Sequence, residues 1–169
     1  MILPDLLASG LKDAKLRAVF CGTAAGTASA RRGHYYAGPG NRFWPMLAAC
    51  GLTPRLMRPE EDHLLPGMGF GLTDLAKTAF GQDSEIPKSA WDAPGLMARI
   101  NAAKPDALAF TSLTAARLAL GQPDLRAGRL PPDVRLAGID LWALPSPSGA
   151  ARGSFDASIW QDFAASLQG

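Results

Sequence analysis

Four short stretches dominated by apolar residues, at positions 17–21, 69–75, 107–110 and 134–144, limit what this chain can become. Short, continuous apolar character of this kind is the mark of a strand buried on both faces. The intervening segments carry helix signals instead. Asn41 can cap a helix running to about Ala49 and stopping at Gly51, with Pro45 early enough to be tolerated. Pro59 with Glu60, Glu61 and Asp62 opens a short helix that ends before Pro66. Pro94 starts a helix with Leu96, Met97 and Ile100 on one face, residues 113–120 form another ended by Gly121, and Ser154 can cap a last one holding Ile159, Trp160 and Phe163. Residues 1–16 read as a packed arm with one helical turn, and 77–87 and 122–133 as loops; the stretch 134–144 supplies one or two strands. Strands alternating with helices predict an α/β fold of three layers, α/β/α, around a central, mostly parallel sheet. Such sheets carry their sites at the carboxyl ends of the strands.

The chain of 169 residues is the size of one domain, here 1–169, with a single sizeable core. A net charge of only +2 means that affinity for a polyanion must come from a local patch. Cys21 and Cys50 are the only cysteines and read as buried thiols, too few for an iron–sulfur cluster. His34 and His63 stand apart from any Cys or carboxylate cluster at ligand spacing, so no metal and no cofactor is expected. With no basic-then-apolar leader and no run long enough to span a bilayer, the expectation is a cytoplasmic protein, and a monomer.

Within this frame, residues 19–44 are the most informative: VFCGTAAGTASARRGHYYAGPGNRFW. A strand ends in the small-residue turn Gly22-Thr23-Ala24-Ala25-Gly26, where the absence of bulky Cβ substituents lets backbone groups approach a ligand. A polar, aromatic-bearing loop leads to Asn41-Arg42-Phe43-Trp44, and residues 144–152 read LPSPSGAAR. Together these strings resemble the two motifs of the uracil-DNA glycosylase superfamily, most closely its mismatch-specific uracil-/thymine-DNA glycosylase branch. That branch carries F-C-G-I-N-P-G, F-A-H-P-x-N-R-F-W and N-P-S-G-L-S-R; here the same frame reads F-C-G-T-A-A-G, Y-A-G-P-G-N-R-F-W and S-P-S-G-A-A-R. The middle segment Gly71-Leu72-Thr73 belongs to the same likeness.

The resemblance implies a uracil-DNA glycosylase-like fold and DNA as partner. An enzyme of this kind must take its base out of the duplex, which needs an aromatic wall, polar groups for the base edge and a plug for the gap. Tyr36 lies where the family places a Phe that stacks on the flipped base, with Tyr35 as support. The turn Gly22, Thr23, Ala24 and Ala25, with Asn41, Ser146 and Ser148, takes the substrate-binding positions. Gly149, Ala150, Ala151 and Arg152 fall on the loop that enters the DNA. Arg31 and Arg32 either meet phosphates or are simply solvated.

One departure matters: Ala24 occupies the family's catalytic Asn position. Cleavage makes the sugar cationic and the departing base anionic, and a methyl group neither orients water nor balances charge. Other branches also carry Ala here and use a carboxylate from another loop. The candidates are Asp74, directly after Gly71-Leu72-Thr73, then Asp83 and Glu85 in the string Gly81-Gln82-Asp83-Ser84-Glu85-Ile86, which resembles a D-S-N-I string of the hypoxanthine-acting branch. Asp74 reads equally as a strand-end cap. The expectation is a monofunctional uracil-DNA glycosylase that leaves an abasic site, with Asp74 or Asp83 as the catalytic carboxylate. The alternatives are a uracil- or abasic-DNA-binding module with little turnover, or a glycosylase preferring hypoxanthine or xanthine. Monofunctional follows from the lack of a Lys within the two motifs, Lys77 reading as an exposed surface residue.

Overall fold

In the computed structural model, which describes residues 1–12, 14–149 and 155–168, the apolar stretches form one five-stranded sheet. The strands are β1 (Ala18–Gly22), β2 (Phe70–Asp74), β3 (Ala107–Phe110), β4 (Gly128–Arg129) and β5 (Asp140–Ala143), in the order β2-β1-β3-β5-β4. Neighbouring pairs are parallel except β4, which runs antiparallel to β5.

Both faces of this sheet are covered, as continuous apolar strands require. On β1, Ala18 and Phe20 point to one layer while Val19 and Cys21 point to the other, and β3 splits the same way at Ala107/Ala109 and Leu108/Phe110. The first layer contains helices α1 (Thr27–Arg32), α2 (Phe43–Ala49) and α5 (Ala157–Ser166), whose aromatic residues Phe43, Trp44, Trp160 and Phe163 pack around Phe20 and Phe70. The second contains α3 (Ala93–Ala103) and α4 (Leu113–Leu120), bringing Leu96, Ile100, Ala115 and Ala116 onto Val19, Leu108 and Leu141. The three-layer α/β/α arrangement expected from the sequence is thus the one observed. Among the described residues no helix is long and apolar enough to cross a membrane.

Several local expectations need correction. Among its described residues the arm at 1–16 forms no helix; Leu6 pairs antiparallel with Leu72, because the outer edge of β2 offers its own backbone groups to an extended partner. Residues 27–32, read as loop, form α1, closed by Gly33 in the left-handed conformation (φ 76°). The stretch 134–144 yields one strand; residues 134–136 form a 3-10 turn capped by Asp133, and the second strand, β4, lies in the supposed loop 122–133. Helix α5 is capped by Asp156, whose side chain accepts from Ser158 N, and Ser154 lies outside the described residues. The caps of the other helices follow the sequence more closely. Gly121 closes α4 with φ 67°, whereas the N-cap position of α2 falls to Arg42, with Asn41 Oδ1 accepting from Phe43 N at 2.9 Å from one residue ahead.

Candidate active site

The strand register decides what meets at the carboxyl edge. Gly22, the last residue of β1, is paired with Asp74, the last of β2. Thr111 follows Phe110, the partner of Cys21, and the segment holding Ser146 follows β5. These ends line a cleft of about 990 Å³, together with Thr23, Ala24, Ala25, Tyr36, Asn41, Asp83, Ser148 and Gly149. Most of the positions singled out in the sequence are therefore brought to one place, but Glu85, Arg31, Arg32 and Lys77 are not among the lining residues, and Ala150, Ala151 and Arg152 lie outside the described residues.

Asp74 sits at the floor. It is only 4 % exposed, yet it lines the cleft. A Cβ on Gly22 would lie 2.8 Å from Asp74 Oδ1 and 3.4 Å from both Thr111 Oγ1 and Tyr36 Oη, so three side-chain oxygens converge on the face that glycine leaves open. Burial pushes the Asp74 carboxyl up to about 7; Lys77 and Arg99 pull it back, and Asp5 adds to the rise. A carboxyl so placed changes charge near neutral pH.

Tyr36 forms the wall beside it. Its ring stacks on Phe43 with centroids 3.9 Å apart and planes 17° apart, and its hydroxyl shares a 2.9 Å hydrogen bond with Thr111 Oγ1. Burial first, then the neighbouring Asp74, holds the phenol well above its ordinary range, so it stays a neutral hydroxyl. The backbone at Tyr36 is left-handed, φ 53°, a conformation that a bulky residue adopts only when its surroundings demand it.

The small-residue turn forms the near rim. The carbonyls of Gly22, Thr23 and Ala25 accept from Leu75, Ala76 and Gly81, which ties the turn to the loop after β2. Thr23 Oγ1 donates to Asp83 Oδ1 at 2.6 Å, so the exposed Asp83 stands at the mouth while Asp74 lies at the base. Ala24 is partly exposed and packs beside Ala76 and Ile86. Glu85 is a different case: its carboxylate turns back to accept from Gln82 N and caps a short turn, and it is not among the cleft-lining residues.

The far rim joins both motifs. Arg42 N donates to Pro147 O at 2.8 Å, and a Cβ on Gly149 would meet Pro39 O at 3.1 Å, so only a glycine lets these loops touch without displacement. Ser146 Oγ accepts from Ser148 N at 3.2 Å, and Trp160 Nε1 holds Pro145 O from below. Asn41 lines the cleft with its Oδ1 committed to the start of α2.

Lys77 is not the exposed lysine expected. It is only partly exposed, with its ammonium 2.8 Å from Asp5 Oδ1 and 3.2 Å from Tyr35 Oη, because Asp5 on the N-terminal arm supplies the countercharge. Arg32 is likewise committed, to Ala37 O and Glu60, whereas Arg31 is exposed at the end of α1. Cys21 is a core thiol, pushed up by burial and then by Asp74. Three residues escaped the sequence reading: Thr111, Asp5 and Arg99. Thr111 was discoverable by the rule that pointed to Asp74, since it directly follows a strand. The other two lie far from Asp74 in sequence, and nothing in the spacing joins them to it.

A model of the uracil DNA glycosylase superfamily matches residues 9–164, a span that takes in all five strands and both loops that meet across the cleft. The fold, the carboxyl-edge cleft and this match agree, and the chain belongs to the uracil DNA glycosylase superfamily, whose members act on DNA as base-removing hydrolases.

Proposed function

We propose that this protein is a monofunctional DNA glycosylase of the mismatch-specific type, acting as a cytoplasmic monomer of one domain to remove uracil and leave an abasic site. The observation that carries this reading is the Asp74 carboxyl, held against Gly22 at the cleft floor, in a site whose first motif offers only the methyl of Ala24. Ionised Asp74 faces the charge that develops on the sugar and orients the attacking water. A carboxylate about 4 Å from a cation contributes roughly 4 kcal/mol at an effective dielectric near 20, about a thousandfold in rate.

Placement in the cleft supports the remaining roles, except those of Ala150, Ala151 and Arg152, which rest on the family likeness alone. Tyr36, backed by Phe43, stacks on the flipped base. Asn41, with its Oδ1 used at α2, keeps its Nδ2 donors for the base edge, and Ser146 and Ser148 offer hydroxyls on the same side. The backbone of Gly22, Thr23, Ala24 and Ala25 takes the base oxygen, and Asp83 steadies Thr23 at the mouth. Gly149, Ala150, Ala151 and Arg152 fill the gap left in the duplex. Lys77 is tied to Asp5 and is not among the cleft-lining residues, which favours hydrolysis over a Schiff-base route.

The test is single-turnover cleavage of duplexes containing uracil, thymine, hypoxanthine or xanthine, read as strand scission after alkali beside a gel shift on the same DNA. Excision of uracil in preference to the others is the expected result. Preference for the deaminated purines would move the substrate assignment, and binding without scission would make the protein a damage-binding module, as Ala24 permits.

A further inference from the structure

Behind the cleft floor lies a partly buried charge cluster that the reaction itself does not use. Asp5, on the N-terminal arm, places Oδ1 2.8 Å from Lys77 Nζ and accepts from Thr73 Oγ1 at 2.7 Å; its Oδ2 is 3.0 Å from Arg99 Nε. The same Arg99 donates through Nη2 to the backbone carbonyl of Asp74 at 2.9 Å. The Asp5, Lys77 and Arg99 side chains are 16 %, 11 % and 22 % exposed, so water screens their charges poorly.

The arm is fixed in this place. Ile2 N donates to Lys77 O, Leu6 and Leu72 exchange backbone hydrogen bonds at 2.9 Å, Tyr35 Oη donates to Pro4 O, and Leu3 is buried in the core. Asp5 is thus held where it meets two cations from two elements, one on the loop after β2 and one on α3.

We propose that Asp5 is a positioning residue for Asp74: it engages Lys77 and Arg99, so that neither cation acts unopposed on the carboxyl at the cleft floor. The inference rests on the assignment of Asp74 to the reaction only for its effect on rate, not for its electrostatics. The groups that face Asp74 are few. From the strand side come the neutral thiol of Cys21; from the wall, the neutral phenols of Tyr35 and Tyr36; from behind, Lys77, Arg99 and Asp5. Of these only the last three are charged at neutral pH, and two of them favour ionised Asp74. With Asp5 present the three charges sum to one positive; without it they sum to two, and the Asp74 proton is released at lower pH. The arm thereby shifts the pH at which Asp74 ionises, on top of the larger effect of burial, from a place where it touches no substrate.

The experiment is a carboxyl titration by NMR on aspartate-labelled protein, with Asp74 assigned by its disappearance in Asp74→Asn. In Asp5→Asn the Asp74 midpoint is expected to fall by about one unit or more, and in Lys77→Gln to rise. An unchanged midpoint in a folded Asp5→Asn protein overturns the proposal. Should Asp5→Asn fail to fold, Lys77→Gln decides alone: a midpoint that stays or falls overturns it equally. The pH profile of single-turnover excision separates this from the reading of function. If the midpoint moves and the profile follows, both stand; if the midpoint moves and the profile does not, Asp5 still governs Asp74, and the role of Asp74 in excision is what fails.

Discussion

Asp74 Oδ1 occupies the space that a side chain on Gly22 would need, 2.8 Å from the position of its Cβ. The pairing of these two residues across parallel strands makes that contact unavoidable. Gly22→Ala must therefore displace Asp74 or the backbone of β1. The expected cost is about 1–3 kcal/mol of stability from overpacking, with a larger loss of excision than of folding. Thermal unfolding and single-turnover rates on the same preparations check this. Full activity with the methyl in place would mean that Asp74 is free to move away at no cost to the reaction.

Asp74→Asn keeps the shape and removes the charge, so it should lower single-turnover excision by about a hundredfold or more. Wild-type excision should rise with pH up to about 7 and level off above it, because only the ionised carboxylate is active. Binding to a non-cleavable uracil analogue should barely change, since the charge acts in the transition state. A wild-type rate in Asp74→Asn, together with a slow Asp83→Asn, would move the role to the loop at the mouth.

The same residue should mark the stability curve. Its pKa is raised from the ordinary 3.8 to about 7, so the folded protein holds this proton where the unfolded chain has lost it. The associated stability is complete below about pH 4 and is lost as pH rises through about 7, a swing of roughly 4 kcal/mol at most. In Asp74→Asn that part of the slope should vanish, leaving the variant more stable than wild type at pH 8. Denaturant melts at acid and alkaline pH measure it directly.

For Tyr36 the two halves of the side chain are separable. Tyr36→Phe keeps the stack on Phe43 and loses the hydrogen bond to Thr111, at about 1 kcal/mol. Tyr36→Ala should lose about 1–3 kcal/mol of base interaction as well. Equal activity and equal melting temperature for wild type and Tyr36→Ala would sink the stacking role. A matched loss of both would make the residue a core tyrosine.

Arg152→Ala is expected to weaken binding to a U·G duplex more than to single-stranded uracil DNA, since only the duplex has a gap to fill. Titrations of both substrates at fixed salt provide the comparison. An equal effect would reduce Arg152 to a phosphate contact.

What the sequence made legible was local. Asn41 and Gly121 announce helix ends through their own chemistry, and Ala107–Phe110 reads as a buried strand from its residues alone. The turn at Gly22, the aromatic at Tyr36 and the loop at Ser146 could be placed at one edge because each adjoins a motif. Some failures are local, such as α1 at 27–32, read as loop; in the others a distant partner decides. Leu6 is extended because β2 has an open edge, and Gly128–Arg129 is a strand because β5 is beside it. Lys77 is largely withdrawn from solvent because Asp5, remote in sequence, arrives to neutralise it. Thr111 became part of the site only through register, which no single segment encodes.

The outer rims of the sheet have a consequence for how the protein behaves in a crowd. A strand edge with open amides and carbonyls is a template on which a second chain can add, and long parallel sheets run that risk while folding. Here β2 is closed by the arm at Leu6, and the opposite rim is a two-residue strand whose Arg129 is paired with Asp140. An invading strand would have to peel away the arm at one rim, or settle for two residues and a charge at the other. The arm around Leu6 thus covers one open edge of the sheet, and removing residues 1–7 should raise the tendency of the protein to self-associate, which light scattering measures.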